Sequence, residues 1–161
     1  MVVLDIPARS EYVAIVRQVI SIIAGRAEIL SVSRVDDLIL AVSEACSNAI
    51  ASYGPYEFDE EAHIEIGTSP RVAVRVSEDE AQLVIEVEDS GIGFDPKKIP
   101  DRSIHSDFHP SRVRRPYRAE SGRGVQLIRA LVDEANFVSS QSGTTVTMTM
   151  QLAQASLGTA L

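Results

Sequence analysis

Three short stretches of this chain carry residue types and spacings that could do chemistry. In "SEACSNAI", Glu44 and Asn48 are four residues apart, so on a helix both side chains share one face. A carboxylate there can take a proton, and a carboxamide oxygen can hold a hard cation such as Mg²⁺. The plainer reading is a solvated polar face, and the pair alone does not choose. In "EDSGIGFD", an alternating apolar run stops on Asp89 and opens into Gly91 and Gly93. A dinucleotide loop would need a third glycine where Pro96 stands, and a calcium loop would need alternating oxygen ligands and a distal glutamate. Both are excluded. There remain a loose turn, or a buried acceptor for an exocyclic amine with a flat ring against the two glycines. In "SGRGVQLIRAL", Gly122 and Gly124 open a helix and leave backbone N–H groups at the positive end of its dipole, an anion site if they do more than start the helix.

Other chemistries find little support. No P-loop and no G-x-S-x-G elbow occurs. His105 and His109 have a metal-ligand spacing but lack the glutamate of a zinc protease. Cys46, the single cysteine, lies among alanines on an apolar helix face and reads as a core residue in a reducing compartment.

These residues need a scaffold, and 161 residues with 45% apolar content supply one domain with one core. We expect that domain over residues 1–152, with 153–161 as a frayed tail. Neither a signal peptide nor a membrane-spanning run is present, so a cytoplasmic protein is expected. The net charge of −8 argues against direct nucleic-acid binding. Its distribution is uneven: residues 97–123 carry a net +5, and the remainder −13.

Along the chain, "VVLDI" alternates as a strand, and residues 10–27 form a helix with Ser10 as its N-cap. A second helix starts at Ser33, with Asp36 completing a capping box, and runs to Tyr53 before Gly54-Pro55. "HIEIGT", "RVAVRVS" and "QLVIEVED" read as neighbouring antiparallel strands. Residues 95–121 lack periodicity and hold four prolines, as expected of a functional lid or a solvated loop. "GRGVQLIRALVDEA" resumes a helix, and "NFVSS" and "TTVTMTMQL" close as strands. The fold class is α+β, a two-layer sandwich with helices on one face of a mostly antiparallel sheet.

The order "SEACSNAI", "EDSGIGFD", "ESGRGVQLIRALVDE", "GTTVTM" resembles the boxes of the GHKL (Bergerat) ATP-binding superfamily. More closely, the chain is similar to the small bacterial anti-sigma factor serine/threonine kinases, over about residues 35–151. The resemblance implies ATP and Mg²⁺ as cofactors. Glu44 would be the general base, Asn48 the Mg²⁺ ligand, and Asp89 the acceptor for the adenine amine. Gly91 and Gly93 would shape the adenine pocket, and Thr145 would join its hydrogen bonds. Gly122 and Gly124 would face the polyphosphate, with Arg118 or Arg123 on the γ-phosphate and residues 95–121 as the ATP lid. It further implies two protein partners, a sigma factor and a STAS-type anti-anti-sigma substrate, no membrane, and a possible homodimer. The chain departs from the pattern at Ser52, often a histidine, at "GRG", where an apolar residue is commoner, and at Glu120, where the kinases often carry a basic residue. A non-catalytic ATP-binding module, or an ATP hydrolase of the gyrase or histidine-kinase type, would share the same pocket.

Overall fold

The computed structural model describes residues 1–26, 30–53, 70–91 and 123–152. The expected strand "HIEIGT", the lid at 95–121, the tail at 153–161 and the three histidines lie outside the described residues, as do Gly93, Arg118 and Gly122.

Alternating apolar residues build β1 (Val2–Pro7), β2 (Arg71–Glu78), β3 (Gln82–Asp89), β4 (Glu134–Ser140) and β5 (Gly143–Gln151). They pair in the order β1-β2-β3-β5-β4, every neighbouring pair antiparallel. Because side chains alternate faces, Val72, Val74, Val76, Leu83, Ile85 and Val87 all point to one side and are buried there. The helices α1 (Val13–Gly25), α2 (Val32–Ala51) and α3 (Arg123–Leu131) complete the elements. α1 and α2 bury Val16, Ile20, Leu38, Val42 and Cys46, and α3 buries Ile128, in the same core. The expected class, helices packed on a largely antiparallel sheet, is the observed one.

Three boundaries differ from the sequence expectation. Ser10 does not cap the first helix; it opens a separate 3₁₀ turn, Ser10–Tyr12, and α1 begins at Val13 without a side-chain cap. The second helix starts at Val32, capped by Ser31 rather than Ser33: Ser31 has the extended backbone a cap requires, and its Oγ accepts from the Arg34 N–H. The third helix stops at Leu131, not at residue 135. Asp133 is held by the Arg34 guanidinium, which donates to both of its carboxylate oxygens, and by the Gln151 N–H at 2.7 Å. Ala135 then pairs with Met148 as strand. A non-local ion pair thus overrides the local helical pattern.

Gly143 closes the β4–β5 hairpin at φ +135°, and a Cβ there would lie 2.0 Å from the Asp89 carbonyl oxygen. Only glycine is at ease in that conformation. Gly143→Ala is therefore expected to cost at least about 1–3 kcal/mol in urea unfolding. An unchanged midpoint would show that the hairpin can relax away from β3.

Candidate functional site

The inward face of β3 carries Leu83, Ile85, Val87 and then Asp89. The alternation that buries three apolar side chains therefore buries a carboxylate at the strand end, where Asp89 is 7% exposed. Its Oδ1 accepts from the Ser52 hydroxyl at 2.8 Å and from the Gly91 N–H at 2.9 Å. The Thr144 backbone N–H, on the paired residue of β5, also reaches the carboxylate. Burial pushes the Asp89 carboxyl above its usual range, and these three donors offset part of that rise.

Asp89 sits at one end of a pocket. Ala45, Asn48 and Ala49 line it from one face of α2, Ser52 from just past its end, Val87 from β3, Val125 from α3, and Phe137, Thr144 and Val146 from the β4–β5 hairpin. Two alanines keep the helix side of the pocket free of bulky side chains, and the walls are apolar apart from a few polar groups. Such a lining suits a heteroaromatic ring that donates to Asp89.

The other chemical pair lies on the same helix. Glu44 and Asn48 converge on Gly124 in the first turn of α3: a Cβ at Gly124 would lie 2.3 Å from Glu44 Oε1 and 2.9 Å from Asn48 Nδ2. Gly124 is thus a cradle for the two side chains. The absent Cβ lets α3 come this close to the pair. Glu44 is half-buried, while Asn48 on the same face is exposed. Burial raises the Glu44 carboxyl above the usual carboxylate range, toward the values that make a carboxylate an effective base. Among the described residues no group of three or more His, Cys, Asp or Glu side chains could hold a metal by itself. A single carboxamide ligand fits Mg²⁺, which keeps several waters and takes the rest of its shell from phosphates.

Asn48 and Asp89 thus line one pocket, Glu44 and Gly124 adjoin it through Asn48, and Gly91 adjoins it through Asp89. Arg123 is exposed at the start of α3. Thr145 pairs with Glu88 on the outer face of the sheet, while Thr144 pairs with Asp89 and lines the pocket. The sequence reading placed the threonine one residue away, and a one-residue shift in a strand exchanges faces. It also missed Phe137, and it saw Ser52 only as a departure from a pattern. Cys46 is fully buried with its thiol pushed up to about 12, as a core residue should be.

A model of the histidine kinase-like ATPase domain matches residues 6–150. The chain belongs to that family. Among curated relatives of this ATPase domain, the serine-protein kinase RsbW of Bacillus pumilus is 36% identical over 150 residues, covering 92% of this chain and 84% of that protein. Its Bacillus subtilis counterpart is 32% identical over 149 residues, with the same coverages. The crystal structure of the RsbU and RsbW domains of a Mycobacterium tuberculosis protein covers 94% of this chain and 33% of that longer one. It aligns at a TM-score of 0.53 and 21% identity, a likeness of fold. No helix among the described residues is long and apolar enough to cross a membrane.

Proposed function

We propose that this domain is an ATP-dependent protein serine/threonine kinase of the anti-sigma type. It binds Mg-ATP, phosphorylates an anti-anti-sigma partner, and holds a sigma factor. The observation that carries the reading is the convergence of Glu44 and Asn48 on Gly124, with Asn48 also lining the pocket that holds Asp89. The kinship with serine-protein kinases at 36% identity over most of the chain supports it.

In this reading the adenine amine donates to Asp89, and the ring lies between Ala45 and Ala49 of α2 and the sheet. Gly91 and Gly93 border the base, and Thr144 takes the adenine-side place first expected of Thr145. The polyphosphate runs toward α3, where the amides around Gly122 and Gly124 receive it, with Arg118 or Arg123 on the γ-phosphate. Asn48 would be the protein ligand of Mg²⁺, which when bound would supply neutralisation of phosphate charge. Glu44 accepts the proton of a substrate serine or threonine hydroxyl as that oxygen bonds to the γ-phosphorus. The bond from phosphorus to the bridging β–γ oxygen breaks, and ADP leaves. Little covalent chemistry falls to the protein, so positioning and electrostatics carry the rate.

A homodimer in the cytoplasm belongs to the same proposal. Among the described residues β1 is an edge strand with Val2 and Val3 exposed, and Ile15 and Ile22 are exposed on α1.

Incubation with γ-labelled ATP and candidate STAS-type proteins tests the reading. A serine- or threonine-phosphorylated partner is expected. Tight ADP and sigma-factor binding with no phosphoprotein in any combination would instead make the domain a non-catalytic ATP-binding module.

A further inference from the structure

Asp89 is held in place as well as buried. Among the described residues its donors are two backbone N–H groups, from Gly91 and Thr144, and one side chain, Ser52. The terminal torsion of an aspartate is broad and nearly free on its own, so these donors fix the plane of the carboxylate and the direction in which it accepts. Ser52 follows the last residue of α2, and its Oγ lies 2.8 Å from Asp89 Oδ1 and 2.7 Å from the Ala49 carbonyl oxygen. A hydroxyl has one proton to give. A carboxylate is the stronger acceptor, so the proton goes to Asp89.

The backbone around this contact is fitted to it. A Cβ at Gly91 would stand 2.0 Å from Ser52 Oγ, so the glycine leaves the space that the hydroxyl fills. The next residue on the helix side, Tyr53, pins the same turn: its phenol accepts from the Ser90 N–H at 2.8 Å and donates to the Arg71 carbonyl at 2.6 Å. The end of α2 thus grips the β3 turn at two successive residues, the second through backbone alone and the first through the carboxylate itself.

We propose that Ser52 is a positioning residue that aims Asp89 at the amino group of the base and so sets the preference for adenine. The inference rests on the reading of Asp89 as the adenine acceptor, and it assigns Ser52 a part in ligand choice beyond that reading. Without the hydroxyl the carboxylate loses the only one of these three donors that a side chain supplies. The 6-amino group then meets a poorly aimed acceptor, whereas a purine without that group has nothing to lose.

The test is calorimetric titration with ADP and with purine riboside 5′-diphosphate, which carries hydrogen in place of the amine. Wild type should prefer ADP, and Asp89→Asn should erase most of that preference. Ser52→Ala should weaken ADP by up to about tenfold, the worth of the amine–carboxylate contact that it leaves misaimed, and leave the analogue unchanged. Ser52→Cys, nearly isosteric and a poor donor, should behave like the alanine variant and serves as the test if that variant does not fold. If the Ser52 variants keep the wild-type preference, or weaken both ligands equally, Ser52 does not position Asp89. If wild type shows no preference, or Asp89→Asn retains it, the adenine reading of Asp89 fails instead.

Discussion

Glu44→Gln is expected to lower the rate of phosphotransfer to a serine- or threonine-bearing partner by about 10²–10⁴-fold, the usual contribution of a positioned general base, while ADP still binds. Glutamine keeps the shape of the side chain beside Gly124 and removes its capacity to take a proton. The same substitution should not lower stability. Burial raises the Glu44 carboxyl in the folded state, so between its unfolded and folded values the native protein binds more protons than the unfolded chain. Stability therefore falls as pH rises through that window, and at neutral pH the ionised carboxylate is a net cost that glutamine lifts. A single-turnover rate measured against pH offers a second check. The wild-type rate should climb with pH through a midpoint above the ordinary carboxylate range and then level off, because only the ionised group accepts a proton. The residual rate of the glutamine variant should lack that step. Transfer at the wild-type rate by Glu44→Gln would remove Glu44 from the chemistry, and a loss of ADP binding along with activity would mean that it organises the pocket instead.

The parts of this site that were legible in the sequence are those written in local periodicity. "QLVIEVED" alternates, so Leu83, Ile85, Val87 and Asp89 share a face, and an acid at that point of the series had to be buried or at the margin of burial. The spacing of Glu44 and Asn48 put them together on α2 for the same reason. What the sequence could not supply were contacts made across the chain. Ser52 meets Asp89 from 37 residues away, and nothing in "AIASYG" marks its hydroxyl as different from any other at a helix end. The choice between Thr144 and Thr145 depended on the register of β5 against β3. In "TTVTMTM" threonines occupy both faces at the start, so alternation alone could not settle it. The helix boundaries failed for a related reason. Ser31 and Ser33 have the same capping chemistry, and "LVDEA" continues a helical pattern. The Arg34–Asp133 pair, 99 residues apart in the chain, ends that pattern.

Gly124→Ala should separate catalysis from folding more cleanly than any change to a charged residue. In a helix, alanine in place of glycine gains up to about 1 kcal/mol from backbone entropy alone. The atoms that the new methyl would meet are the free ends of two side chains, Glu44 Oε1 at 2.3 Å and Asn48 Nδ2 at 2.9 Å. Those ends can swing aside at little cost to the fold, whereas a clash with backbone, as at Gly143, cannot be relieved so cheaply. The thermal midpoint of Gly124→Ala is therefore expected to equal or exceed that of wild type. Function should respond in the opposite direction. The two side chains that must yield are the proposed base and the proposed Mg²⁺ ligand, and a displacement of about 1 Å at a reacting centre can cost on the order of 10²-fold in rate. The loss should fall on phosphotransfer and on the Mg²⁺ dependence of ATP binding. Binding of the adenine end, read with ADP in the absence of Mg²⁺, should hold, because the atoms nearest the methyl belong to Glu44 and Asn48 and not to Asp89, Ser52 or Gly91. A variant that loses stability and activity together would make Gly124 a packing glycine. One that keeps full activity would show that Glu44 and Asn48 do not act from the positions they occupy beside α3.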